Sequence, residues 1–579
     1  MKNEQKKRAK MGEGVGLSKP TKAAPHSAGA GRASVQSRLL GKILMMVGET
    51  NGITLEDTLE LLLSPHLKDD DPEVVSLIAD FQEQLNYFQI ESTDIYSLLR
   101  HPFARALYEF FRRFPLPYRE EHIHLTGSLN ASFVYPRLQQ LLDGPYAREI
   151  EQKIKAVYGE HAWPIRDEEH VAQLLRLPEG DEFDRYLQIL MLPKLILVDR
   201  KAHQDAAYHM AKTLYENYNV GRVRLKFTLS RVNSVSEAEM IPGAENVTAE
   251  DVALGLYEGF MAYKMEQPDF DFVLAPCFRK EGDYYDKSRF SSKSEHILQQ
   301  IQEILEILDR YPHLKPYLCE VDTVGSEKDF YRKAHFADLQ SGFRKLQYRG
   351  FFIRSHHGET WRTLRHGIQA VDNAMNIWQI DSLEHGLSLG INPNYYFHSL
   401  YQRVLKWNSR GEAIIPGTPE HFEVSDMIWG NNFDVCDKLL RGEPLQPDEV
   451  TAFTKAKFHT AREVEQYQHD VLNRMIQKKV SLVSLPSSNY KLTSCFEDFK
   501  DHPFTWWEKK GVSLAVGTDN YVTLGTDFIQ EMLILLFTDP AGLKIMKLLM
   551  VSTGETRRPY LSNLLWQMCS AWIENEPES

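Results

Sequence analysis

The stretch FFIRSHHGETW, residues 351–361, passes from an apolar run into His356, His357, Gly358 and Glu359. A short apolar run closed by a glycine-bearing polar turn reads as a buried strand. Side chains alternate along a strand, so the two adjacent histidines face opposite ways. Gly358 then lets the chain turn and carry Glu359 out of the strand.

The same arrangement recurs along the chain. It is seen in EHIHLTG at 121–127, VRLKFTLSR at 223–231, DFVLAPCFR at 271–279 and PYLCEVDTVG at 316–325. After GFFIRSH at 350–356 come DSLEHG at 381–386, VSLVSLPSSN at 480–489 and GVSLAVGTDN at 511–520. Helical patterns such as EHILQQIQEILEILDRY and TLRHGIQAVDNAMNIW separate them. Alternation of this kind means parallel strands joined by crossover helices. Eight units predict an α/β fold, a (β/α)8 TIM barrel, with an open doubly wound sheet as the competing architecture. In a barrel the C-terminal strand ends converge. That would gather His122, His124, Gly325, His356, His385, Asn489 and Asp519. His122 and His124 are two apart and so point to one side of their strand. Imidazoles with a carboxylate suit a zinc-like metal.

The rest of the 579-residue chain narrows the setting. A formal net charge of -13 gives no support for a nucleic-acid-binding surface. The five cysteines are far apart and form no CxxC pair, which excludes a disulfide scaffold and a cysteine-built zinc site and points to a reducing, cytoplasmic setting. No apolar run is long enough to cross a membrane. Residues 1–35 read as a disordered basic tail, and 36–115 as a helical N-terminal extension. In the latter, DDDPE at 69–73 marks a capped helix start with Pro72 in the first turn. Residues 116–579 read as the barrel, with large insertions at about 130–222 and 391–479. Such insertions can serve as a lid or as a homo-oligomer contact. GEGVGLSK at 12–19 lacks the spacing of a phosphate loop.

The motifs in their order resemble the adenosine deaminase family of metal-dependent amidohydrolases. The carriers are HIHLTGS from His122 to Ser128, VDTVGSE with Gly325 and Glu327, and His356-His357-Gly358-Glu359 where the family has HAGE. They continue with His385-Gly386, Pro486-Ser487-Ser488-Asn489, Thr518-Asp519-Asn520 in place of TDD, and LGTDFIQEM at 524–532. The resemblance covers about 121–532, interrupted by the two insertions. It implies one zinc per chain held by His122, His124, His356 and Asp519. It also implies Glu359 as proton donor to purine N1, His385 as the residue orienting the attacking water, and Asp519 as a further catalytic contact to that water. Gly325 would offer its backbone N–H to N3 of the base, and Asn489 would order the neighbouring loop through backbone hydrogen bonds.

The implied reaction is hydrolytic deamination of adenosine or a related 6-aminopurine nucleoside, with release of ammonia. Asn520 departs from the family, which has there a second aspartate facing purine N7. Asparagine can donate to N7 but cannot relay a proton. Substrate choice is therefore open between nucleoside and nucleotide, AMP or another adenine nucleotide included. Arg279, Lys280 and Arg354 are the candidates for phosphate contact. A deaminase-like binding or assembly module is the alternative from another class.

Overall fold

Eight strands pair side by side in chain order, each parallel to the next. They are Tyr118–His124 (β1), Val220–Phe227 (β2), Asp271–Arg279 (β3), Glu320–Val324 (β4), Phe352–His357 (β5), Ser382–His385 (β6), Ser481–Ser484 (β7) and Leu514–Val516 (β8). The ring closes through a parallel bridge between Ile123 and Asp519. His124 N donates to Asp519 O, and Asp519 N to His122 O, both at 2.8 Å. The expected barrel is therefore present, and the open-sheet alternative falls on this closure. The computed structural model describes residues 37–42, 71–91, 94–181, 183–229, 240–493, 498–539 and 545–575. The expected tail over 1–35 lies outside these, as do the second half of SRLLGKILMMVG and all of TLEDTLELLLS.

Helices cover the outside of the barrel. Ala249–Glu266, Lys293–Arg310, Ala337–Tyr348 and Leu364–Asn373 join β2 through β6 in turn, and Pro447–Lys478 and Phe504–Lys510 lead into β7 and β8. Between β1 and β2, Arg200–Tyr218 completes the first crossover. It packs on Ala249–Glu266 at backbone distance: a Cβ on Gly255 would lie 2.5 Å from Arg200 O, and one on Gly259 2.1 Å from Gln204 O. Two small residues one turn apart thus set this helix spacing. One expected strand is shorter than its apolar pattern. VSLVSLPSSN leaves the sheet at Ser484 because Pro486 opens a helix, Pro486–Leu492, at a position where its missing N–H is not needed. Asn489 therefore projects from a helical turn.

Before β1 come helices Pro72–Ile90, Ile95–Arg100 and Pro102–Arg112. Asp71 caps the first, accepting from Glu73 N at 3.1 Å and Val74 N at 3.4 Å, with Pro72 at the first helical position. Phe81 packs tilted against Phe103 and edge-on to Phe537, at centroid separations of 4.7 and 5.3 Å, and Gln89 Nε2 donates to Phe537 O at 2.8 Å. These helices thus pack on Phe528–Thr538, the helix that follows β8. Among the described residues no helix is long and apolar enough to cross a membrane.

Candidate metal and active site

β1 and β5 point three imidazoles at one another. His124 Nε2 lies 3.2 Å from His122 Nε2 and 3.2 Å from His356 Nε2. Asp519, just past β8, brings Oδ1 to 3.5 Å from His124 Nε2 and 3.8 Å from His122 Nε2. His122 donates its Nδ1–H to Glu384 Oε2 at 2.6 Å, and His356 donates its own to Asp322 Oδ1 at 3.0 Å. Both Nε2 atoms are thereby left as lone pairs. Burial, with the nearby Lys226 charge, holds these imidazoles well below their ordinary pKa, so they are neutral. Lone pairs facing one another beside a carboxylate repel unless a cation lies between them. Ligands at about 2.0–2.1 Å from a tetrahedral zinc sit ~3.3 Å apart, which matches the nitrogen spacing. The donor set therefore fits a divalent metal, which His122, His124, His356 and Asp519 could hold.

His356 and His357 do face opposite ways. His357 stands behind β5 among Phe336, Phe330 and Trp378, with Ser355 Oγ 2.6 Å from its Nδ1. Glu359 lies over the imidazole side of the strand and is buried. Its position is fixed through the backbone: Gly358 N, Glu359 N and Thr360 N all donate to the Glu327 carboxylate, at 3.0, 2.5 and 2.8 Å. Gly358 has φ 73°, and a Cβ there would meet Ser388 Oγ at 2.6 Å, so no other residue makes this turn. Burial first, and Glu327 second, push the Glu359 carboxyl up to about 8 despite Lys280. At neutral pH it carries its proton.

His385 Nε2 is 3.8 Å from Glu359 Oε1. The other ring nitrogen, Nδ1, donates to Asn489 Oδ1 at 2.9 Å, which aims Nε2 into the site. Asn489 thus acts on His385 through its side chain, where the sequence suggested backbone contacts. His385 and Asp519 both have left-handed φ, 67° and 68°. Such strain at two non-glycine strand ends is a mark of functional placement. Ser488 Oγ holds the other Asp519 oxygen at 2.6 Å. Gly325 follows β4, half-buried, with Glu281 against it. Asn520 is fully buried next to Asp519.

The motifs missed the layer beneath the histidines. Lys226 on β2 pairs with Asp322 on β4 and lies 3.4 Å from Glu384 on β6. Arg354 on β5 reaches Glu384 at 2.9 Å and Glu320 at 2.6 Å, and Arg224 reaches Glu320 at 2.7 Å. Burial alone would raise Glu384, but Lys226 and Arg354 outweigh it and hold the carboxyl at about 2. It stays ionised against His122. The signal was present in the sequence: Arg224 and Lys226, Glu320 and Asp322, Arg354 and His356 are each two apart in strands that should be apolar inside. Of the phosphate-contact candidates, Arg354 is committed to this floor. Lys280 is buried and donates to His356 O, and Arg279 pairs with Glu281 at 2.8 Å.

The long excursions also reach the site. Glu423, in the β6–β7 segment, accepts from Leu364 N and Tyr396 Oη, both at 2.7 Å, bracing the helix that follows Glu359. Gln468 donates to Ser388 O and Ile391 O at 2.8 and 2.9 Å, bracing the turn after His385. From the β1–β2 segment, Tyr186 meets Asn520.

Fold and site together define a parallel eight-stranded barrel with a histidine–carboxylate cluster able to hold a metal at the C-terminal ends of its strands. The chain resembles the adenosine deaminases: 66 residues are 33% identical to the adenosine deaminase of Vibrio atlanticus (strain LGP32), covering 11% of this chain and 20% of that protein. The match thus spans about a fifth of that relative's length. No family model matches the chain. Solved structures similar to it include an adenine deaminase from Arthrobacter aurescens, at 12% identity and TM-score 0.45, covering 79% of this chain and 99% of that one. Another is the N6-methyl-AMP deaminase of Arabidopsis thaliana, at 11% identity and TM-score 0.44, covering 81% and 100%. A third is a zinc-bound amidohydrolase from Burkholderia ambifaria, at 13% identity and TM-score 0.43, covering 80% and 94%. The barrel assignment rests on this chain's own strand pairing.

Proposed function

We propose that the chain is a metal-dependent hydrolase that deaminates adenosine or a related 6-aminopurine nucleoside, releasing ammonia. The observation that carries this reading is the pairing of a metal-fitting imidazole cluster with a buried, protonated Glu359 beside His385. A bound divalent cation would lower the pKa of a water and so supply a nucleophile at neutral pH.

The protein's residues account for the remaining steps. Glu359 gives its proton to N1 of the ring, which makes C6 electrophilic and avoids an anion on the base. His385, held by Asn489, presents Nε2 to take the proton of the attacking water. Asp519 Oδ1, steadied through Ser488 on its partner oxygen, is an acceptor for the same water. Gly325 N–H is the proposed contact to N3. The leaving ammonia takes its proton from this set.

The nucleoside reading is favoured over a nucleotide because Arg354 and Lys280 are built into the structure beneath and beside the histidines. The test is to load the purified protein with zinc and supply adenosine, deoxyadenosine, AMP, ATP and adenine. Ammonia release and loss of the adenine absorbance are followed. Turnover of a nucleoside is expected; no turnover of any of them overturns the proposal.

A further inference from the structure

Tyr186 belongs to helix Phe183–Ile189 in the long β1–β2 segment, far in sequence from every strand end. Its side chain is nevertheless buried, at 6% exposure, in an apolar holder made with Phe183, Leu190, Leu492 and Leu524. Asn520 Nδ2 donates to its hydroxyl at 2.5 Å, and the same nitrogen donates to Asp519 Oδ1 at 2.5 Å. A metal-binding carboxylate only accepts, so the amide nitrogen must be the atom that faces it. That fixes the orientation of Asn520. Both amide hydrogens are committed, and Oδ1 is turned against Gly127, where an added Cβ would lie 1.6 Å away. Oδ1 has no hydrogen-bond partner there.

Asn520 therefore has no hydrogen left for a substrate. Tyr186 does: among the described residues its hydroxyl is seen only accepting, from Asn520. Burial keeps the phenol protonated. A purine offers two acceptor nitrogens on the edges flanking C6, namely N1 and N7. Glu359 serves N1. N7 is a bare acceptor, and leaving it unpaired in a dry site costs about 1–3 kcal/mol.

We propose that Tyr186 is a base-recognising residue, donating its phenolic hydrogen to N7 of the bound 6-aminopurine while Asn520 holds the phenol in place. The inference rests on the aminopurine reading above. It assigns a substrate contact to a segment that looks, by sequence alone, like an insertion.

The test compares binding of purine riboside and 7-deazapurine riboside to the zinc-loaded full chain by calorimetry, for the wild type and Tyr186→Phe. Wild type should prefer the N7-bearing compound by roughly tenfold, the effect of one hydrogen bond. Tyr186→Phe should bind both at the 7-deaza level, with 7-deaza affinity unchanged, which shows that the site is intact. Retained discrimination in Tyr186→Phe, equal weakening of both compounds, or no discrimination by wild type overturns the proposal. Ammonia release by wild type is read separately. Turnover with unchanged discrimination sinks the Tyr186 contact alone; discrimination lost in Tyr186→Phe without any turnover sinks the deaminase reading alone.

Discussion

Thr518 clips the last strand of the barrel to the first by donating to Glu120 with both its backbone N–H, at 3.1 Å, and its hydroxyl, at 2.6 Å. Tyr521 Oη and His122 N donate to the same carboxylate, at 2.9 and 3.0 Å. This junction sets the distance between the histidines of β1 and Asp519. Replacing Glu120 with alanine strands buried donors, and a loss of about 3 kcal/mol is expected. Zinc affinity should fall with it. Urea unfolding and zinc titration of Glu120→Ala measure both; wild-type zinc affinity in a destabilised variant would separate the two roles.

Glu359 must be protonated to act. Its carboxyl sits at about 8, raised by burial, so the active form is full below that pH and lost above it. The expected kcat/KM therefore falls about tenfold per pH unit on the alkaline side. Glu359→Gln should keep its zinc and lose ~100- to 10,000-fold in kcat. Metal analysis and a pH profile of the wild type check the two halves. Zinc loss in the variant would contradict the assigned role.

Asp322 and Glu384 orient two of the imidazoles from behind. Removal of such a partner lowers metal affinity by about 10- to 100-fold. Asp322→Asn should show this in competition with a chelator. Lys226→Met should be worse, because it leaves two buried carboxylates without their shared cation; a stability loss of about 3–5 kcal/mol is expected by thermal or urea unfolding.

Glu423 offers a test away from the metal. Burial raises its carboxyl to about 8, while Oε1 alone accepts from Leu364 N and Tyr396 Oη, leaving Oε2 to carry the proton. Its unfolded pKa is about 4.3. Between those values the folded state binds the proton and the unfolded state does not, so this contribution to stability is present below pH ~4.3 and lost as pH rises toward 8. Glu423→Gln should flatten that part of the melting-temperature profile. A profile parallel to wild type would show that the group titrates normally.

The eight strands were legible because each is a short apolar run ending in glycine or polar residues; their number pointed to a barrel, and the Ile123–Asp519 bridge decides it over the open sheet. The histidines and Asp519 were legible as strand-end residues. The ionic floor was not, because Lys226, Asp322 and Glu384 carry no motif of their own and only the period-two spacing betrays them. Nor was Tyr186, which reaches Asn520 across 334 positions of sequence. Asn489 was noticed, yet its hold on His385 depends on where Pro486 turns the chain.

The charges beneath the imidazoles interlock: Lys226 serves Asp322 and Glu384, and Arg354 serves Glu384 and Glu320. Glu384 and Glu320 each answer to two cations, whereas loss of Lys226 takes from buried Asp322 its lysine partner. A redesign of this interior is therefore best made by replacing charges in matched groups. Tyr186 stands outside this network, so the base contact proposed for it can be altered while every ion in the floor keeps its neighbour.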